Sequence, residues 1–120
     1  MRMLNIGSLN IDYVYAMDEF VQPGETRACL GRQVHCGGKG LNQSIAMARA
    51  GLPVWHAGIL GAEGGILRET LVAAGVQTEF LRQSEAPGGH TVIRWTGTAR
   101  TPSCSIPAPT RLSRRTLWMR

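Results

Sequence analysis

Two stretches of helical period, each closed by a glycine, alternate with extended apolar stretches, and this rhythm restricts the chain more than any other feature. Leu41, Ile45 and Ala48 fall on one face of a helix that spans 41–50 and stops at Gly51. Ile66, Leu67, Thr70, Leu71 and Ala74 repeat the pattern over 66–74, with Gly75 as the stop. Between and around them lie strand candidates. Leu4, Ile6, Ser8, Asn10 and Asp12 alternate in a first strand with a buried start and a polar far end. Pro53 to Leu60, Val76 to Leu81 and Thr91 to Trp95 supply the others. Strands that alternate with helices are expected to build a parallel sheet wrapped by helices, an α/β fold of Rossmann-like type with helices on both faces. The extended pieces from Tyr13 to Val34, which include Thr26–Val34 after the Pro23-Gly24 turn signal, fall outside the rhythm and are expected to form an antiparallel flap.

Net charge has to be located before it is interpreted. The chain carries +5 overall, but residues 1–93 hold eight acidic and seven basic side chains, and residues 94–120 hold six arginines with no acid. The basicity belongs to the last segment, and no aromatic or helical pattern organises it there, which argues against nucleic-acid binding. No apolar run reaches the length of a membrane span, and the N-terminus is a poor secretory signal. Cys29, Cys36 and Cys104 make an odd set without metal-like spacing. A cytoplasmic location is expected.

Gly37-Gly38-Lys39-Gly40 immediately precedes the first helix. It is not a P-loop, because Gly40 stands where Ser or Thr is required and Gln33 where the first glycine is. Nor is it a dinucleotide fingerprint, because Gln43 replaces the third glycine. It does permit a ligand to approach the backbone closely, with Lys39, Asn42 and Gln43 at the same helix entrance. Asn10 and Asp12, at the polar end of the first strand, belong where open α/β sheets bind ligands. A carboxylate accepts from two neighbouring hydroxyls and an amide both donates and accepts, so a polyol suits this set. His35, His56 and His90 are scattered and read as surface or satisfied core residues, and Cys36 as a small residue under the loop.

Gly7-Ser8-Leu9-Asn10-Ile11-Asp12, Pro23-Gly24-Glu25-Thr26 and Gly37-Gly38-Lys39-Gly40-Leu41-Asn42-Gln43-Ser44 occur in the order and spacing of the ribokinase-like (PfkB) carbohydrate kinases. Six residues, Gly51, nine residues and Gly61 then follow, as in the longer family signature. Roughly residues 3–93 resemble that family, and the lysine-bearing glycine run is most similar to ribokinases. The resemblance implies ATP-dependent phosphorylation of a sugar hydroxyl, with ribose or a similar pentose as substrate. It implies substrate contacts at Asn10, Ile11 and Asp12 and along Gly38, Lys39, Gly40, Leu41 and Asn42. It further implies a β-lid over about 13–34 that closes on the sugar and forms a homodimer contact. Where the family often has an acidic pair or an aspartate just after the Gly61 equivalent, this chain has Ala62-Glu63, a position expected to be structural.

ATP, Mg2+ and a monovalent cation are the cofactors that the resemblance implies. The family's base is an aspartate in a Gly-Ala-Gly-Asp-like motif, with an Asn-x-x-Glu-like motif supporting magnesium. Asp12 and Asp18 are the only aspartates of this chain, and neither lies in such a motif. The chain is therefore expected to be an N-terminal sugar-binding part, inactive alone and marginally stable. A non-catalytic sugar-binding or lid-dimerisation module is the alternative.

From Arg94 onward no apolar period persists and Pro102, Pro107 and Pro109 interrupt the chain, so residues 94–120 are expected to be a disordered, non-family tail. A slip of reading frame near Arg94 would account for this. The regrouped codons of Arg94–Ile106 permit a Val-Asp-x-x-Gly-x-Asn segment followed by an apolar strand, which resembles the family at this point.

Overall fold

The computed structural model describes residues 1–97 with their side chains, and the backbone of 103–106. Nine elements follow in order: β1 (Met3–Ile6), β2 (Asn10–Met17), β3 (Gly31–Gly37), α1 (Lys39–Arg49), β4 (Val54–Leu60), α2 (Gly65–Ala73), β5 (Leu81–Gln83), β6 (Gly89–Thr96) and β7 (Ser103–Ile106). The expected helices thus form within a residue or two of their anticipated bounds. Gly51 and Gly75 both take φ +87°, the left-handed turn that ends each helix.

Two sheets result. Strands β1, β4 and β5 make a parallel sheet in the order β1-β4-β5, with Leu4 opposite Trp55 and Ile59 opposite Arg82. Strands β3, β2, β6 and β7 make the second sheet in that order. Its β2–β3 and β6–β7 pairs are antiparallel, whereas β2–β6 is parallel. The antiparallel flap is present, but it begins at Asn10 and recruits β6, which was expected to prolong the helix-covered sheet. Its tip is a tight turn in which the Glu25 amide donates to the Gln22 carbonyl, 3.0 Å, with Gly24 at φ +82°.

The core lies between the parallel sheet and the two helices. Leu41 of α1, Val54 and Leu60 of β4, and Leu67 and Leu71 of α2 pack there with Leu9, Ile11, Val76 and Leu81. Each fully buried leucine contributes about 1.5–3 kcal/mol of transfer free energy. Both helices share this one face among the described residues. On the opposite face Leu4 is 57% and Ile6 74% exposed, so the first strand is not buried as its alternation suggested. Asn5, between them, is the residue turned toward α1.

Two further corrections concern strand ends. The first strand stops at Ile6, and Asn10 and Asp12 open β2 rather than close β1. The polypeptide bends through 7–9, and alternation alone carries no mark of that break. Past Arg94, β6 continues to Thr96, and Ser103–Ile106 pairs with His90–Ile93, where disorder was expected. A strand edge supplies backbone partners to any extended segment, whatever its hydropathy. The expected disorder of 98–102 and 107–120 lies outside the described residues.

Candidate functional site

Glycine shape brings the polar residues together. A Cβ on Gly40 would lie 2.6 Å from Gly7 Cα, so the turn after β1 and the first turn of α1 touch backbone to backbone. Gly38, the N-cap of α1, has φ +105°, and a Cβ there would meet the Ser8 carbonyl oxygen at 2.5 Å. The Leu41 amide donates to that same carbonyl, 3.1 Å. A Cβ on Gly37 would come within 2.9 Å of Asp12 Cγ, which places the Asp12 carboxylate directly over the glycine loop. Asn10 faces Gly37 in the β2–β3 register and Gly89 in the β2–β6 register.

Asn10 and Asp12 therefore lie where β2 leaves the turn, beside the glycine loop after which Lys39 and Asn42 occupy the first turn of α1. None of the four side chains has a hydrogen-bond or ion-pair partner among the described residues. No side chain caps α1, and the Lys39 and Gly40 amides find no acceptor among the described residues. Those two N–H groups lie at the positive end of the helix dipole. The set offers a carboxylate acceptor, two amides, an ammonium and two backbone donors, which matches a ligand dense in hydroxyls.

Two expected site residues point elsewhere. Ile11 and Leu41 are 2% and 1% exposed, and their side chains belong to the core, so each can reach a ligand only through its backbone. Gly38 and Gly40 likewise act through backbone. Gln43 is exposed on the same helix turn.

Glu63 accepts from the Gly88 amide, 3.0 Å, and ties the loop before β6 to the segment after β4. A Cβ on Gly88 would stand 3.1 Å from Gly61 Cα, so Gly61 and Gly88 sit in close backbone contact. Cys36 packs on α2, with Sγ 3.2 Å from Thr70 Oγ1. His35 is exposed beside Gln33, and His90 bonds the Gly88 carbonyl, 3.0 Å, with its ring edge-on to Tyr13 at 6.2 Å. His56 is fully buried and satisfied by Ser44 and Gly7. Burial holds its basicity below the ordinary imidazole value.

Sequence reasoning missed Asn5 and Ser44, which join the two halves of the site from below. Asn5 Nδ2 donates to the Gly40 carbonyl and to Ser44 Oγ, each 2.9 Å. The available signal was a polar residue on an apolar stripe: Ser44 lies between Leu41 and Ala48 on the helix face that enters the core.

No cluster of three or more His, Cys, Asp or Glu suited to a metal occurs among the described residues, so none is assigned to magnesium. No helix among them is long and apolar enough to cross a membrane.

Ribokinases are among the known proteins similar to this chain. The ribokinase of Haemophilus influenzae is 35% identical over 78 residues, which cover 63% of this chain and 26% of that protein. The Bacillus subtilis ribokinase is 34% identical over 93 residues, covering 73% of this chain and 32% of that protein. The chain thus spans between a quarter and a third of the length of these relatives. The crystal structure of the Cryptococcus neoformans ribokinase in complex with ADP superimposes with a TM-score of 0.83 at 35% identity, over 93% of this chain and 38% of that one. The Arabidopsis thaliana ribokinase complexed with ribose and ATP gives 0.80 at 26% identity, over 88% and 35%. The sequence pattern of the pfkB family carbohydrate kinases matches residues 2–105, which reaches into β7. This chain belongs to the pfkB family of carbohydrate kinases.

Proposed function

We propose that the protein takes part in ATP-dependent phosphorylation of a hydroxyl on ribose or a similar pentose, and that this chain supplies the sugar-binding part. One observation carries the reading: the Asp12 carboxylate lies over the glycine loop at the entrance of α1, among polar groups with no partner among the described residues. Ribokinase relatives, one of them described with ribose and ATP, support the substrate class.

In this reading Asp12 accepts from two neighbouring sugar hydroxyls, while Asn10 and Asn42 donate and accept at others. The Lys39 and Gly40 amides and the Lys39 ammonium donate from the helix entrance. Strand β2 holds Asn10 and Asp12 at one end and the flap at the other, so sugar binding and flap closure act on a single rigid strand. Closure excludes water, which protects phosphoryl transfer against hydrolysis. ATP supplies the phosphoryl group when bound, but no residue described here is assigned to it, to Mg2+ or to a monovalent cation. Asp12 and Asp18 lie outside the family's base motif, so the chain alone binds sugar without transferring phosphate. Cytoplasmic location belongs to the same proposal; a non-family tail from Arg94 does not, because the family pattern matches residues 2–105.

A second reading, a non-catalytic module that dimerises through the flap, draws on the exposed β3 edge, where Leu30 and Val34 are 75% and 39% exposed.

Calorimetric titration of the 120-residue chain with ribose, alongside an ATP-consumption assay, tests the main reading. Ribose is expected to bind with no ATP consumed. Asp12→Asn is expected to weaken binding about tenfold, the scale of one charge-assisted hydrogen bond. Unchanged affinity in Asp12→Asn would remove the assigned acceptor, and ribose-dependent ATP consumption would refute inactivity.

A further inference from the structure

A buried imidazole needs an acceptor for its N–H and a donor for its other nitrogen, and the partners it finds fix which nitrogen holds the proton. His56 on β4 is 0% exposed. Its Nε2 lies 3.2 Å from the Gly7 carbonyl, which can only accept, so Nε2 carries the hydrogen. Nδ1 is then the acceptor of the neutral ring, and Ser44 Oγ, 2.7 Å away, donates to it. With its hydrogen committed, Ser44 Oγ takes the Asn5 Nδ2 hydrogen at 2.9 Å. The second Asn5 Nδ2 hydrogen goes to the Gly40 carbonyl, also 2.9 Å. Every hydrogen in this chain has one direction. It terminates on two backbone carbonyls, Gly7 and Gly40.

Those two carbonyls lie in different halves of the candidate site. Gly7 opens the turn that delivers Asn10 and Asp12. Gly40 lies inside the Gly38–Asn42 run. None of the three linking side chains stands among the groups assigned to the sugar: Ser44 and His56 are fully buried, and Asn5 lies in the middle of β1. An apolar trio would fill the same space without hydrogen-bonding demands, whereas a directional network admits one relative position of its ends.

We propose that His56, acting through Ser44 and Asn5, is a positioning residue that fixes the distance between the β2 half and the α1 half of the sugar site. The inference rests on the sugar-binding reading above. Ser44 is its hinge, since it couples the helix that carries Lys39 and Asn42 to the ring that holds Gly7. Loss of the Ser44 hydroxyl leaves Asn5 and His56 each short of a partner and lets the two halves drift.

Three measurements on the 120-residue chain decide it. Nitrogen NMR of the histidine rings is expected to find His56 neutral with the proton on Nε2; a proton on Nδ1 would overturn the network. Ser44→Ala is expected to weaken ribose binding about tenfold and to shift the backbone amides of Gly38–Asn42 in the ligand-free chain. Ser44→Thr, which keeps the hydroxyl, is expected to restore both. A folded Ser44→Ala chain with wild-type affinity and unmoved loop amides would overturn the proposal. Should Ser44→Ala fail to fold, a Ser44→Thr chain that binds ribose as weakly as His56→Phe would overturn it, and one that matches wild type would support it. If wild-type chain binds no ribose, the sugar reading fails by itself. The ring tautomer and the ligand-free amide shifts then still decide the positioning role.

Discussion

Gly40→Ala would ordinarily strengthen a helix, and in this fold it is expected to do the reverse. Gly40 is the second residue of α1 with ordinary helical φ, where alanine is favoured over glycine by about 1 kcal/mol. The added Cβ, however, would stand 2.6 Å from both Gly7 Cα and the Ser8 nitrogen. Ordinary contact is about 3.5–4 Å, so the turn and the helix must part by roughly 1 Å. Both neighbours are backbone and cannot rotate away. Overpacking of this kind costs about 1–3 kcal/mol. The same separation stretches the Leu41 amide to Ser8 carbonyl bond, 3.1 Å, and the Asn5 bond to Gly40, 2.9 Å, at about 1 kcal/mol apiece. Net of the helical gain, destabilisation of about 2–4 kcal/mol is expected. Gly65→Ala is the matched control: it opens α2, has no positive φ, and its Cβ would meet nothing within 4 Å. That variant is expected to gain up to about 1 kcal/mol. Urea unfolding followed by circular dichroism measures both. The reasoning fails if Gly40→Ala is as stable as the parent chain, or if the two substitutions act alike.

Other outcomes follow from the core and from the buried ring. Leu71→Ala empties a site with 0% exposure on α2 and is expected to cost about 3–5 kcal/mol in the same urea assay. Glu63→Ala removes the acceptor of the Gly88 amide at an exposed position and is expected to cost less than about 1 kcal/mol, with the amide of Gly88 gaining exchange with solvent. His56 confers a pH dependence with a definite sign. Burial holds its folded-state value below 6.5, and no charged group contributes to that shift. At higher pH the ring is neutral in both states and its contribution to stability is fully present. As pH falls through 6.5 the unfolded chain takes up the proton first, and stability is lost at up to about 1.4 kcal/mol per pH unit until the folded ring titrates. His56→Phe is expected to remove that portion of the slope, read from urea midpoints at a series of pH values.

Much of the architecture was legible because helices advertise their ends. Gly51 and Gly75 marked both stops, and the 3.6-residue period marked which faces enter the core. Strand β1 was harder. Alternation says that Leu4 and Ile6 share a face, yet not which face the helices cover, and the buried side proved to be that of Asn5. The break at 7–9 was hidden because Ser8, Asn10 and Asp12 keep the two-residue period across it. Placement of β6 depended on β2, a partner distant in sequence that composition cannot reveal, and β7 then pairs with the nearby β6. Of the candidate site, Asn10, Asp12, Lys39 and Asn42 were readable from chemistry and spacing. Ile11 and Leu41 came with the motif, and their side chains serve the core. The Asn5–Ser44–His56 network stayed hidden because its members lie on three separate elements, and a single histidine among apolar residues gives no hint of what it faces.

The central claim, that β2 and the entrance of α1 together form a sugar site, is tested most directly by an amide NMR titration of the 120-residue chain with ribose. Saturable shifts are expected at Asn10 to Asp12 and at Gly38 to Asn42, while the amides of Val72 and Phe80, on exposed positions away from the glycine loop, stay in place. Shifts that avoid both segments, or that fall on only one of them, would contradict the account.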